Sequence, residues 1–117
     1  MKGILIVAAM LLAGVVNAQT DIQKKKADFY ATEAVAYFKL DSTLKKGISE
    51  AKADLMVAQK EMERKKKEGE IPESELDAYR KANVYPFTKK ILDLINVTFK
   101  ELNVFNEIVN PKMNLIK

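Results

Sequence analysis

Apolar residues recur along this chain at helical spacings, and the clearest run lies in its centre. Leu44, Ile48, Ala51, Leu55, Ala58 and Met62 follow one another at steps of four and three. That period keeps them on one face of a helix, while Lys, Glu, Asp and Gln fill the opposite face. A long helix over 42–68 is predicted. Asp41 or Ser42 can accept hydrogen bonds from its free N-terminal amides. Arg64, Lys65, Lys66 and Lys67 fall in its last turns, where positive charge complements the helix dipole, and Gly69 is placed to end it.

Three further segments share the helical period. Before the long helix, Ala27, Tyr30, Ala34, Tyr37 and Phe38 lie close to one face of a helix predicted over 21–38, with Phe29 beside them. Thr20 and Gln23 have capping-box spacing at its start. Lys24, Lys25 and Lys26 sit there against the dipole. After Gly69, Pro72 suits the first position of another helix, followed by Glu73, Glu75 and Asp77 at its acid-favouring end. Leu76, Tyr79 and Ala82 face inward in this reading. Pro86 must stop or kink the helix near residues 83–85, and the pattern resumes with Phe87, Ile91, Leu94 and Ile95. Thr98 and Glu101 then form a capping box, with Val97 and Leu102 at the spacing of a hydrophobic staple. A last helix with Leu102, Phe105, Ile108 and Val109 as its buried face is expected to end at Asn110-Pro111, leaving a loose tail. Alternating strand patterns and Gly-rich loops are missing. The fold class is therefore all-α, with four or five amphipathic helices in a small bundle or open helical cradle.

The first residues change the picture of compartment. Lys2 precedes an uncharged apolar run over 3–16, and Val16-Asn17-Ala18 supplies a cleavage pattern. This reads as a signal peptide over 1–18. The run is shorter than the roughly 20 residues that span a bilayer, so stable membrane insertion after cleavage is not expected. One helical domain over 19–117 remains, about 99 residues and large enough for a modest core. A periplasmic or secreted location follows. No cysteine staples the domain, so helix packing alone must hold it.

Composition also bounds the chemistry. The chain has no His, Cys or Trp. The usual proton shuttle near neutral pH, thiol nucleophiles and zinc sites of His or Cys are all out of reach. Ser42 with Lys45 or Lys46, and Ser49 with Lys45 or Lys52, have helix-neighbour spacing but read as solvated surface. The acids Glu68, Glu70, Glu73, Glu75 and Asp77 lack the alternating ligands of a calcium loop. No enzyme activity, cofactor or metal is expected. The formal charge is +4. That is mildly basic and fits weak attraction to acidic partners, while nucleic acid is discounted for an exported chain. The features left for binding are the basic run Arg64, Lys65, Lys66 and Lys67 and the crowded aromatics Phe29, Tyr30, Tyr37 and Phe38. Adjacent aromatics point about 100° apart on a helix, which leaves two readings: one member of each pair forms a contact surface for a partner, or all four fill the core of a small bundle short of large side chains.

Leu40-Asp41-Ser42-Thr43-Leu44 opens the long charged helix, and Ile71-Pro72-Glu73-Ser74-Glu75-Leu76 opens an acidic one. In this layout the chain resembles the Spy/CpxP-type periplasmic proteins, whose signature is Leu-Thr-x-x-Gln at the start of a long helix. Leu40 matches the signature, Asp41 stands where Thr would, and Leu44 replaces the Gln. The resemblance implies an ATP-independent chaperone or envelope-stress protein that holds unfolded clients on basic and apolar helix surfaces, often as a dimer. The alternative from the residues themselves is a helical inhibitor, sensor-binding or assembly protein with one dedicated folded partner. Its motive is the 44–62 seam, which can pair between chains as readily as within one. The expected partners are thus a polypeptide client, a folded protein or a second copy of the chain.

Overall fold

The computed structural model describes residues 21–117. The signal peptide read over 1–18 and the capping role of Thr20 lie outside them. Five α-helices make up the described residues: α1 (Asp21–Tyr37), α2 (Lys45–Lys67), α3 (Leu76–Asn83), α4 (Tyr85–Ile95) and α5 (Phe99–Met113). Short 3-10 turns at Ser42–Leu44 and Glu73–Glu75 lead into α2 and α3. The protein is an all-α bundle, as its pattern predicts.

Several helix ends have a local cause. Asp41 accepts a hydrogen bond from the Thr43 amide at 2.9 Å, and that bond, first of all, holds its carboxyl below the usual range. At the end of α2 the Glu70 amide reaches back to the Lys65 carbonyl and that of Gly69 to Lys66. This wrap needs a left-handed residue, and Gly69 supplies it at φ 72°. The end of α1 makes the same wrap, from the Leu40 amide to the Val35 carbonyl. There the left-handed position is Lys39, at φ 54°. Thr98 and Glu101 form the capping box the sequence indicates, each satisfying the other's amide. Behind it Leu102 is buried and Val97 packs on the core.

Packing gathers these helices around one core. Tyr30, Ala31 and Ala34 come from α1, and Ile48, Ala51, Leu55 and Met62 from α2. Val84, Ile91 and Ile95 join from the α3–α4 corner and α4, and Leu102, Phe105, Val109 and Met113 from α5. The 44–62 seam therefore faces the chain's own core, with Ile48, Ala51, Leu55 and Met62 buried and Leu44 and Ala58 partly buried against it. α2 is the central rod, packed against α1 along one side and α4 along another. α1 in turn carries α5, and Glu33 pairs with Lys112 across them at 3.3 Å. Pro86 sits in the first turn of α4, and the helix bends at Val84, which the bend buries.

Three expectations are corrected. Pro72 does not start α3; it precedes the 3-10 turn, and its carbonyl accepts from Glu75. Ala82 is exposed, and α3 buries none of its residues fully. Pro111 does not end the last helix. α5 continues through it to Met113, because Met113 is buried in the core and holds the final turn in place. The tail beyond still makes backbone hydrogen bonds, from Leu115 to Lys112 and from Ile116 to Met113.

Candidate interaction surfaces

The aromatic residues of α1 divide between core and surface. Tyr30 is 1% exposed and packs edge-on against Phe105, with ring centroids 5.2 Å apart. Its hydroxyl donates to Asn106 Oδ1 at 2.7 Å. Burial raises its phenol well above the ordinary value. Tyr30 therefore offers nothing to a partner, which corrects its place among the binding residues. Phe29 and Phe38 are half-buried against the core. Tyr37 remains 47% exposed, although its ring lies edge-on to Phe38 and tilted against Phe105. Of the four, Tyr37 alone is exposed.

The basic run is largely committed to its own chain. Arg64 forms hydrogen-bonded ion pairs with Glu61 at 2.5 Å, with Glu70 at 3.2 Å and with Glu68. The bond that Arg64 donates to Glu61 is the main cause that raises the guanidinium above its usual range, and the same bond lowers the Glu61 carboxyl. Lys65 lies over the Tyr79 ring, 5.5 Å from its centroid, which braces α2 against α3. Lys66 and Lys67 are exposed and have no ion pair among the described residues. The run is thus two structural cations followed by two solvated ones.

The serine-lysine pairs also resolve. Ser49 donates to Asp28 Oδ1 at 2.5 Å and ties α2 to α1. Its neighbour Lys52, one turn further along α2, faces α1 too and is buried, with its ammonium 4.4 Å from the centre of the Tyr30 ring. Burial pushes this amine down to about 8. An open groove of about 530 Å³ runs beside the Ser49–Asp28 contact, between Lys24 on α1 and Glu50 and Asp54 on α2.

Two surface features escaped the sequence reading. Tyr85 and Phe99 are both exposed, and their rings lie 6.4 Å apart where the starts of α4 and α5 meet. Ile108, assigned to the buried face, is 44% exposed, as is Val104 at 46%, and Leu115 is 80% exposed. The inward face of α5 is carried by Leu102, Phe105, Val109 and Met113 instead. No protein-family model, curated protein or solved structure matches this chain.

Proposed function

We propose that this chain is an exported, non-catalytic binding protein for a folded protein partner. The observation that carries this reading is the exposed Tyr85–Phe99 pair on a closed bundle. Aromatic side chains bury large area at little entropic cost and anchor protein interfaces. The pair here stands on two helices whose relative position is fixed by Asn96, Val97 and the Thr98 cap. A rigid aromatic anchor suits one shaped partner better than many unfolded ones. The absence of His and Cys supports the non-catalytic part, and the leader pattern over 1–18 supports export.

The test is capture from an envelope extract with wild-type protein and with Tyr85→Ala/Phe99→Ala. One stoichiometric partner should be retained by the first and lost by the second. The complex should then re-form from purified components. Fractionation, with the mature chain beginning at Gln19, checks the export.

Chaperone-like binding of unfolded clients is the second reading. The uncommitted Lys66 and Lys67 and the exposed Tyr37 favour it, through long-range attraction followed by weak apolar contact. Suppression of aggregation of a model unfolded protein, followed by light scattering at several-fold excess, supports this reading; no suppression removes it.

A further inference from the structure

α5 and the turn that follows it carry a second apolar stripe that the fold does not use, with Val104, Ile108 and Pro111 on the helix and Leu115 in the turn. Val104, Ile108, Pro111 and Leu115 follow at steps of four, three and four, and all four are exposed. Leu102, Phe105, Val109 and Met113 meanwhile face the core. The outer stripe has the heptad spacing with which two helices pair. Its flanks are charged. Glu107 lies on one side of Ile108, and Lys112 lies on the other side of the stripe, beyond Pro111.

We propose that α5 is a self-association helix, on which two copies of this chain pair in parallel and in register through Val104, Ile108, Pro111 and Leu115. Charge selects both the occupant and the direction. In a parallel pair, the flanking residue before one seam position meets the residue five further along the other helix. Glu107 of each copy then meets Lys112 of the other, twice by symmetry. In an antiparallel pair the like flanks meet, Glu107 with Glu107 and Lys112 with Lys112, which is repulsive. Glu107 has no ion pair within its own chain among the described residues. Lys112 reaches Glu33 at 3.3 Å, and its ammonium has further donors for a second carboxylate. The seam is short, well below the roughly 1,200 Å² of a standard interface. The pairing is accordingly weak, with a dissociation constant on the order of 100 µM. It is independent of the Tyr85–Phe99 site, because Phe99 projects from the far side of α5.

Sedimentation velocity from about 10 µM to about 1 mM spans that constant and reads the association. The wild-type protein should dimerise toward the upper end. Ile108→Asp, at a position exposed in the single chain, should weaken dimerisation at least about ten-fold, the scale of one desolvated carboxylate. Glu107→Lys and Lys112→Glu should each weaken it, and the double exchange should recover most of the loss. Lys112→Glu also opposes Glu33, so thermal melts by circular dichroism accompany the series. The native chain has no cysteine, which makes direction directly readable. Ile108→Cys should cross-link to itself on oxidation. A chain that stays monomeric at every concentration, or a dimer indifferent to Ile108→Asp, overturns the proposal. Preferential cross-linking of Val104→Cys to Leu115→Cys in a mixture overturns its parallel direction.

Discussion

The ammonium of Lys52 rests 4.4 Å from the centre of the Tyr30 ring, inside the α1–α2 interface, with the lysine only 7% exposed. The ring face attracts the cation, while burial opposes its charge. Burial dominates and brings the amine from 10.5 down to about 8. Between those pH values the unfolded chain holds a proton that the folded chain has shed. Stability therefore climbs with pH from about 8, at roughly 1.4 kcal/mol per unit. The phenol of Tyr30 acts in the other direction. Its ordinary value is 10.0 and burial raises it, so above pH 10 the unfolded chain ionises first and stability is lost. Urea midpoints measured from pH 7 to 11 should peak near pH 10. Lys52→Met should abolish the rise and add about 1–2 kcal/mol at pH 7, the burial penalty less the lost ring contact.

Tyr30→Phe keeps the ring against Phe105 but removes the donor to Asn106. The half-buried carbonyl of Asn106 then loses its partner, at about 1 kcal/mol. The same variant removes the fall in stability above pH 10. Both effects are readable in one set of denaturation curves.

Lys39 holds a left-handed conformation in which a Cβ is unfavourable, by roughly 1 kcal/mol. Lys39→Gly should raise the melting temperature by a few degrees, since about 1 kcal/mol shifts a domain of this size by roughly 4–8 °C. Gly69→Ala should do the opposite by a similar amount. The space around Gly69 is open, so its cost is purely that of the φ angle of 72°.

Thr98→Ala breaks the capping box at the start of α5 and leaves an amide of its first turn unsatisfied. A loss of about 1 kcal/mol is expected. Thr98→Ser should retain the hydroxyl acceptor and most of the stability, which separates the cap from general packing.

The parts legible in the sequence are those whose cause is local. The α2 seam, the Gly69 wrap and the Thr98 box each depend on residues within a few positions, and each is present in the structure. The misreadings arise where distant contacts decide. α5 has two stripes of helical period, and only the cluster of Phe105 with Tyr30, Tyr37 and Phe38 determines which one turns inward. Ile108 therefore lies outside. Pro111 ordinarily ends a helix, but the buried side chain of Met113 outweighs one missing hydrogen bond. Lys52 is a charged residue between Ala51 and Ala53 and reads as surface. It is covered because α1 faces α2 with Ala27, Ala31 and Ala34, small enough to bring the backbones close. The candidate binding residues fared least well in sequence, because exposure is a property of the assembled bundle.

α3 contributes no fully buried side chain, and its eight residues are too few to persist as a helix alone. It is held at its margins, by Lys65 against Tyr79 and by Val84 at the corner. Amide exchange should consequently be fastest across this arm, while the rest of the molecule stays protected. The exposed turn at Glu73–Glu75, which lies outside the core, is thus where extra residues, an affinity tag or a fluorescent label can be spliced in with the least disturbance.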